Sequence, residues 1–325
     1  MLLIEYRIIP FGSLKVGYTS KDMINLSGSS IKGAFKTALI RSLNTKGYDT
    51  FGRDSIISEI FGIPGKMGRV IFRDAVPVDE NYTIEGIEDE KKGEEKNKKK
   101  SYIYFRGELA SSIVCEEKYI PYIYEAMNEI NAYRVMLGID NNSGYGFCKL
   151  KIQCIKELTI DGAELNIGSE SVEQLSKINM PSRDFLSYGY SASDDVSGTI
   201  TILYDIYFDV IPEESLLEKM NINLKRIIMA ILKKKHYNIF SGIFKNNRAF
   251  IISRFVQENE SVKCVVLLDN MDFIEAKSVI SVIHRKIHFR NDEFPATLSF
   301  IPSRAWKYTV DEHEKDITAK VKLIV

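Results

Sequence analysis

Cysteine is scarce in this sequence. Four occur in 325 residues, Cys115, Cys148, Cys154 and Cys264, with no C-x-x-C spacing. That excludes the dense disulfide framework of a small secreted domain and reads as buried thiols in a reducing cytoplasm. Net charge is missing as well: Lys and Arg number 44, Asp and Glu 44, so no global positive field draws the molecule to nucleic acid. Any such contact has to be local. No apolar run reaches the roughly 18 residues of a membrane span. Glu5 and Arg7 interrupt the first residues before the apolar core of a signal peptide could form. The expectation is a cytoplasmic protein with neither export signal nor membrane anchor.

What is present is the composition of a folded protein, 45% hydrophobic and 27% charged, in a chain long enough for two domains. Residues 2–10 are rich in Leu, Ile and Tyr and end at Pro10, which fits a strand. From Ser29 onward, Ile31, Phe35, Leu39 and Leu43 recur every four residues, the stripe of an amphipathic helix. The Gly62-Ile63-Pro64-Gly65 turn signal leads to expected strands over 69–76 and 102–108. Between them, from Glu88 to Lys100, only Gly93 and Asn97 are uncharged, so a flexible, solvated insertion is expected over about 84–100. A helix over 119–137, with Pro121 in its first turn, and a strand over 147–154 complete the series.

The order strand, helix, strand, strand, helix, strand is that of a ferredoxin-like domain, an arrangement shared with RNA-recognition modules. A second pass follows a connection over 158–196 whose Gly, Ser and Asp content reads as a linker. It comprises strands over 200–211, 249–256 and 263–268, helices over 213–235 and 273–287, and a last strand over 296–301. The fold expectation is therefore α+β, with two ferredoxin-like domains in tandem, 1–157 and 197–325, the second degenerate.

Chemistry concentrates in the first half. In Gly28-Ser29-Ser30-Ile31-Lys32-Gly33-Ala34-Phe35-Lys36, small residues permit close backbone approach, a helix start offers amides to an anion, and Lys32 and Lys36 place two cations one turn apart. The same residues also suit an ordinary capped surface helix. The spacing is not the G-x-x-x-x-G-K-[ST] of a nucleotide-binding loop.

Carried on to Thr37-Ala38-Leu39, this segment resembles the G-S-S-[IL]-K-G-x-[FLI]-R-T-x-L motif of the RAMP superfamily of CRISPR systems. Two later stretches are similar to the family's pattern in the same order. One is Phe61-Gly62 followed by Gly68-Arg69-Val70-Ile71-Phe72-Arg73-Asp74-Ala75; the other is the loop Leu137-Gly138 through Ser143-Gly144-Tyr145-Gly146-Phe147. The chain departs from the pattern at Ser27, where Pro is common, and at Asn142, where Arg is common. The resemblance implies a subunit of a type III CRISPR effector complex, with a guide (CRISPR) RNA and other RAMP subunits as partners. It places RNA near Gly28, Ser29, Ser30, Lys32, Gly33 and Lys36, and near a second loop of Ser143, Gly144, Tyr145 and Gly146. In that loop Tyr145 either stacks on a base or packs onto the domain.

Lys66, Arg69 and Arg73 form a local basic group that fits RNA or simply a solvated face. Arg134, near a helix end, already has a favourable dipole interaction there and is a weaker RNA contact. Among the family's repeated subunits an aspartate before the glycine-serine motif cuts target RNA; Asp22 holds that region here, without a matching local motif. All four histidines lie in the second half, and His284 and His288, at i and i+4, lack any H-E-x-x-H or paired-cysteine context for a metal. The reading is therefore a non-catalytic RNA-binding and assembly subunit needing no cofactor, with an endoribonuclease as the alternative.

Overall fold

A computed structural model describes residues 1–18, 24–45, 55–79, 82–90, 100–138, 145–161, 164–170, 198–208, 217, 224, 228–230, 232–234, 236–245, 250–258, 261–271, 275–276, 278–279, 287–289, 296–301, 305–310 and 315–323. The chain is mixed α/β with antiparallel sheets and divides into two units. One is built on Met1–Asn141 and Tyr145–Leu186, the other on Asn142–Gly144 and Ser187–Val325.

In the first unit, strand β1 (Leu2–Pro10) alternates buried and half-buried residues, sending Leu2, Ile4, Tyr6 and Ile8 to one face. It pairs on one side with β10 (Cys148–Asp161) and on the other with β9 (Leu109–Cys115). Outside β9 run two short strands, β5 (Ile71–Phe72) and β6 (Val76–Pro77). Helix α1 (Gly28–Thr45) lies between β1 and β5 in the chain, and helix α3 (Ile120–Asn131) between β9 and β10. They touch each other and share one core with the sheet: Ile31, Phe35 and Leu39 of α1, Ile123, Met127 and Ile130 of α3, and Ile4, Tyr6 and Ile8 of β1. Tyr6 and Phe35 meet with ring centroids 6.3 Å apart. A short helix α2 (Ile56–Phe61) leads into the hairpin β3 (Gly62–Ile63) and β4 (Lys66–Met67).

Several expectations are corrected here. The segment over 102–108 is a strand, β8 (Lys100–Arg106), but it pairs with β2 (Leu14–Tyr18) and β7 (Thr83–Glu90) in a separate three-stranded sheet. Its place beside β1 is taken by β9, whose Ser111 and Ser112 dilute the apolar signal that Tyr102, Tyr104 and Phe105 give so strongly. The strand expected over 69–76 is reduced to β5 and β6, because Ala75 turns away from β9 and exchanges backbone hydrogen bonds with Leu26 (2.8 and 3.0 Å). Residues 84–90 of the expected flexible insertion belong to strand β7, since main-chain pairing tolerates charged side chains on an edge strand. The rest of that insertion, 91–99, lies outside the described residues. The expected linker begins as strand: β10 runs on to Asp161 and returns as β11 (Glu164–Glu170). Helix α3 stops at Asn131, short of the expected 137; Tyr133 has φ 57°, and the Asn131 side chain bonds both the N–H and the carbonyl of Leu150.

The second unit carries one seven-stranded sheet in the order β13-β14-β12-β18-β17-β16-β15. These are β12 (Gly198–Phe208), β13 (Phe250–Glu258), β14 (Ser261–Met271), β15 (Ile287–Phe289), β16 (Ala296–Ile301), β17 (Ala305–Val310) and β18 (Lys315–Leu323). Leu217, Leu224, Ile228 and Leu232, which precede β13, are helical and buried, as are Glu275, Ala276 and Val279 after β14, except that Glu275 is polar. The strand expected to close the series over 296–301 exists, but it pairs with β15 and β17; the strand beside β12 is β18. All four cysteines are buried thiols, none of them in a disulfide, and burial pushes the Cys115 thiol up to about 12. Among the described residues no helix is long and apolar enough to cross a membrane.

Candidate functional site

Helix α1 begins where the sequence places its cap. Ser27 accepts from the Ser30 N–H through its side chain (3.2 Å) and its carbonyl (2.9 Å), and its hydroxyl also meets those of Ser29 and Ser30. The Gly28 N–H donates to the Asp74 carboxylate at 2.7 Å, and Asn25 reaches the other Asp74 oxygen at 3.4 Å. Asp74 is thus an internal anion on the positive end of the helix. Of the first-turn amides, only that of Ser29 has no acceptor among the described residues.

Asp74 belongs to a segment singled out by resemblance, yet its capping role was not readable from the chain. It depends on the Leu26–Ala75 pairing, a contact between residues nearly fifty positions apart.

The two conspicuous glycines of this segment do different things. A Cβ on Gly28 would fall well inside contact distance of the Phe72 carbonyl, so the close approach Gly28 permits is made by the chain's own β5. Gly33 is exposed, its Cβ position has nothing within 4 Å among the described residues, and the Thr37 hydroxyl donates to its carbonyl at 3.0 Å. Lys32 and Lys36 flank it, half-buried, with no ion-pair partner among the described residues.

Gly28, Ser29 and Lys32 form one wall of an open groove of about 500 Å³. Its opposite wall comes from the end of α2, the β3–β4 hairpin and β5, including Phe61, Lys66, Met67, Ile71 and Phe72. The structure therefore brings together the first two motif segments. Gly62 (φ 76°) and Gly68 make this possible, because each backbone passes so near the other that neither tolerates a Cβ. Phe61 and Phe72 lie nearly parallel, 5.8 Å between centroids, and Phe72 also meets Phe35 at 5.2 Å.

Lys66 lines the groove and is exposed; Arg69 and Arg73 are exposed beside it but outside the lining. Both arginines are held by their backbones, Arg69 N–H to Glu59 and Arg73 N–H to Ser112. The described residues of the third motif segment, 137–138 and 145–147, do not line this groove. Ser143 and Gly144, like Asp22, His284 and His313, lie outside the described residues. Tyr145 is half-buried with its ring 4.7 Å from that of Tyr104, and Gly146 (φ 116°) is packed against the Leu137 carbonyl, where a Cβ would clash. Arg134 is committed internally. It is paired with Glu129 at 2.7 Å, and both side chains are largely buried.

Among the described residues no group of His, Cys, Asp and Glu could hold a metal ion. What the site can do chemically follows from its lining: apolar aromatic and aliphatic surface, unpaired ammonium groups at the edge, and one uncommitted backbone amide.

Residues 15–149 match the family model described as the RAMP superfamily. No curated protein matches the chain. Among solved structures, the chain is similar to the crystal structure of Cmr6 from Pyrococcus furiosus, at 13% identity and TM-score 0.35, over 46% of this chain and 98% of that one. It is also similar to a chain in the cryo-EM structure of the type III-B Cmr-beta complex bound to cognate target RNA, at 14% identity and TM-score 0.33. That match covers 52% of this chain and 61% of the other, so this chain spans about three fifths of it.

Proposed function

We propose that this chain, whose residues 15–149 match the RAMP superfamily model, is an RNA-binding and assembly subunit of a type III CRISPR effector complex in the cytoplasm. Its ligand is the backbone of the guide RNA, its neighbours are other RAMP subunits, and it performs no catalysis of its own.

The observation that carries the RNA-binding reading is Gly33. Glycine inside a helix costs roughly 0.5–1 kcal/mol relative to alanine, and here no contact among the described residues requires it. An exposed backbone stripped of its side chain, between two unpaired lysines, suits a polyanion that must come close. Phosphates would be held by Lys32, Lys36, Lys66, Arg69 and Arg73. The helix-start amide of Gly28 is less suited to them, because Asp74 already occupies it.

The strand orders β10-β1-β9-β5 and β18-β12-β14-β13 support two ferredoxin-like domains in tandem. On this reading the first domain extends through β11 to Glu170, and the second begins near residue 197.

The test is affinity for a single-stranded repeat-derived RNA over a range of salt. Replacing Lys32 and Lys36 by alanine should weaken binding and flatten the salt dependence; unchanged affinity and slope would refute the backbone contact. Incubation with guide and target RNAs, with and without Mg2+, addresses the alternative: specific cleavage lost in Asp22→Ala or His284→Ala would establish the endoribonuclease instead.

A further inference from the structure

The groove beside Gly28 is the wrong shape for a phosphate alone. Its walls are dominated by Phe61, Phe72, Ile71 and Met67, and Ile71 and Met67 stand 56% and 90% exposed. Such surface is costly to leave in water and gains nothing from an anion. Nor does a wholly apolar ligand fit, because Lys32 and Lys66 sit in the same lining without an ion-pair partner among the described residues. A nucleotide answers both halves: a flat apolar face, and a phosphate one sugar away.

Resting on the RNA-binding reading above, we propose that this groove holds one unstacked RNA base against Ile71, Met67 and Phe72, with Lys32 and Lys66 on the flanking phosphates. Apart from the two lysines and Ser29, the lining side chains offer a base edge no hydrogen-bonding group. The pocket therefore accepts any base, and its contribution is affinity and register rather than sequence reading. The volume, about 500 Å³ and open on one side, accommodates such a ligand.

The experiment compares the full-length chain with Met67→Ala/Ile71→Ser, two exposed positions where folding should be retained, as checked by thermal melting. The probes are single-stranded RNAs of about 12 nucleotides, natural or with abasic sites, and a set carrying 2-aminopurine at successive positions. We expect one position at which 2-aminopurine fluorescence reports loss of stacking on its neighbours. The double variant should lose roughly tenfold in affinity, equally for adenine-rich and uridine-rich RNA, with no change in salt slope. An abasic site at the reporting position should produce the same loss in the natural protein and no further loss in the variant.

If abasic RNA binds as tightly as natural RNA, or the variant binds like the natural protein while Lys32→Ala/Lys36→Ala still weakens binding, the base pocket is wrong and the backbone contact stands. Absence of RNA binding by the natural protein at any salt overturns both. Normal RNA binding by a variant that no longer assembles with its neighbouring subunits makes the groove a protein interface and overturns the proposal.

Discussion

Gly28 and Gly33 are five residues apart and face opposite physical demands. At Gly28 the chain itself fills the space a side chain would need, so Gly28→Ala must push β5 away from α1 and should destabilise the protein by about 1–3 kcal/mol in urea denaturation. At Gly33 the space is open; Gly33→Ala should stabilise the helix by up to about 1 kcal/mol while lowering affinity for RNA. That opposition is diagnostic, because a glycine with no external role would show the first effect without the second. Asp74 allows a similar separation. Asp74→Ala removes the acceptor for the Gly28 N–H and should cost about 1 kcal/mol, the usual value of a helix cap. Asp74→Asn keeps an acceptor oxygen but removes the negative charge, and RNA binding at low salt should tighten. The residue types of this segment were visible in the chain. Which glycine the fold requires and which it leaves exposed was not, since that depends on Phe72 lying across Gly28.

The contact between α1 and α3 shows what a helix pattern leaves unsaid. Ser42 on α1 donates to Glu125 on α3, Arg41 reaches the Arg134 carbonyl at 2.5 Å, and Arg134 turns back to Glu129. Burial raises the pKa of Glu129 above the usual carboxylate range, and the Arg134 guanidinium opposes that rise. A folded-state pKa above the unfolded value means the native state binds the proton more readily. The associated stability is present at low pH and is lost as pH rises through the raised value. Arg134→Met should therefore destabilise the protein strongly at pH 7 to 8, by about 3–5 kcal/mol, and much less in mild acid, where Glu129 is neutral; urea midpoints across pH read this directly. Glu5 behaves in the opposite sense. The Cys154 thiol, then Lys156, hold its carboxyl below the usual range, so its contribution exists above that range and disappears on acidification. Apolar spacing located both helices, but it ran α3 six residues too far and so read Arg134 as a helix-end cation, because neither the Glu129 pair nor the Asn131–Leu150 tie has a local signature.

For the whole molecule, a net charge of zero means that no long-range field draws it to a polyanion, so on the proposed function the attraction must come from local basic groups such as Lys32 and Lys66. If Lys32 and Lys36 each neutralise one phosphate, their joint replacement should reduce the magnitude of the slope of log K against log salt by about 1.4 for single-stranded RNA. Filter binding or anisotropy over a salt series measures it.

The sequence alone determined the α+β character, the amphipathic α1, the serine cap and the three glycine-bearing segments, because each is encoded by neighbouring residues through periodicity, turn chemistry or close backbone approach. Tertiary structure decided the rest. It chose Leu109–Cys115 over Lys100–Arg106 as the strand beside β1, and Lys315–Leu323 over Ala296–Ile301 as the strand beside β12. It also brought Phe61, Lys66 and Ile71 to the start of α1 and set Tyr145 against Tyr104 instead of in that groove. Each of these is a competition between segments of similar local propensity. What separates them is burial against partners far away in the chain, a quantity that no local window contains.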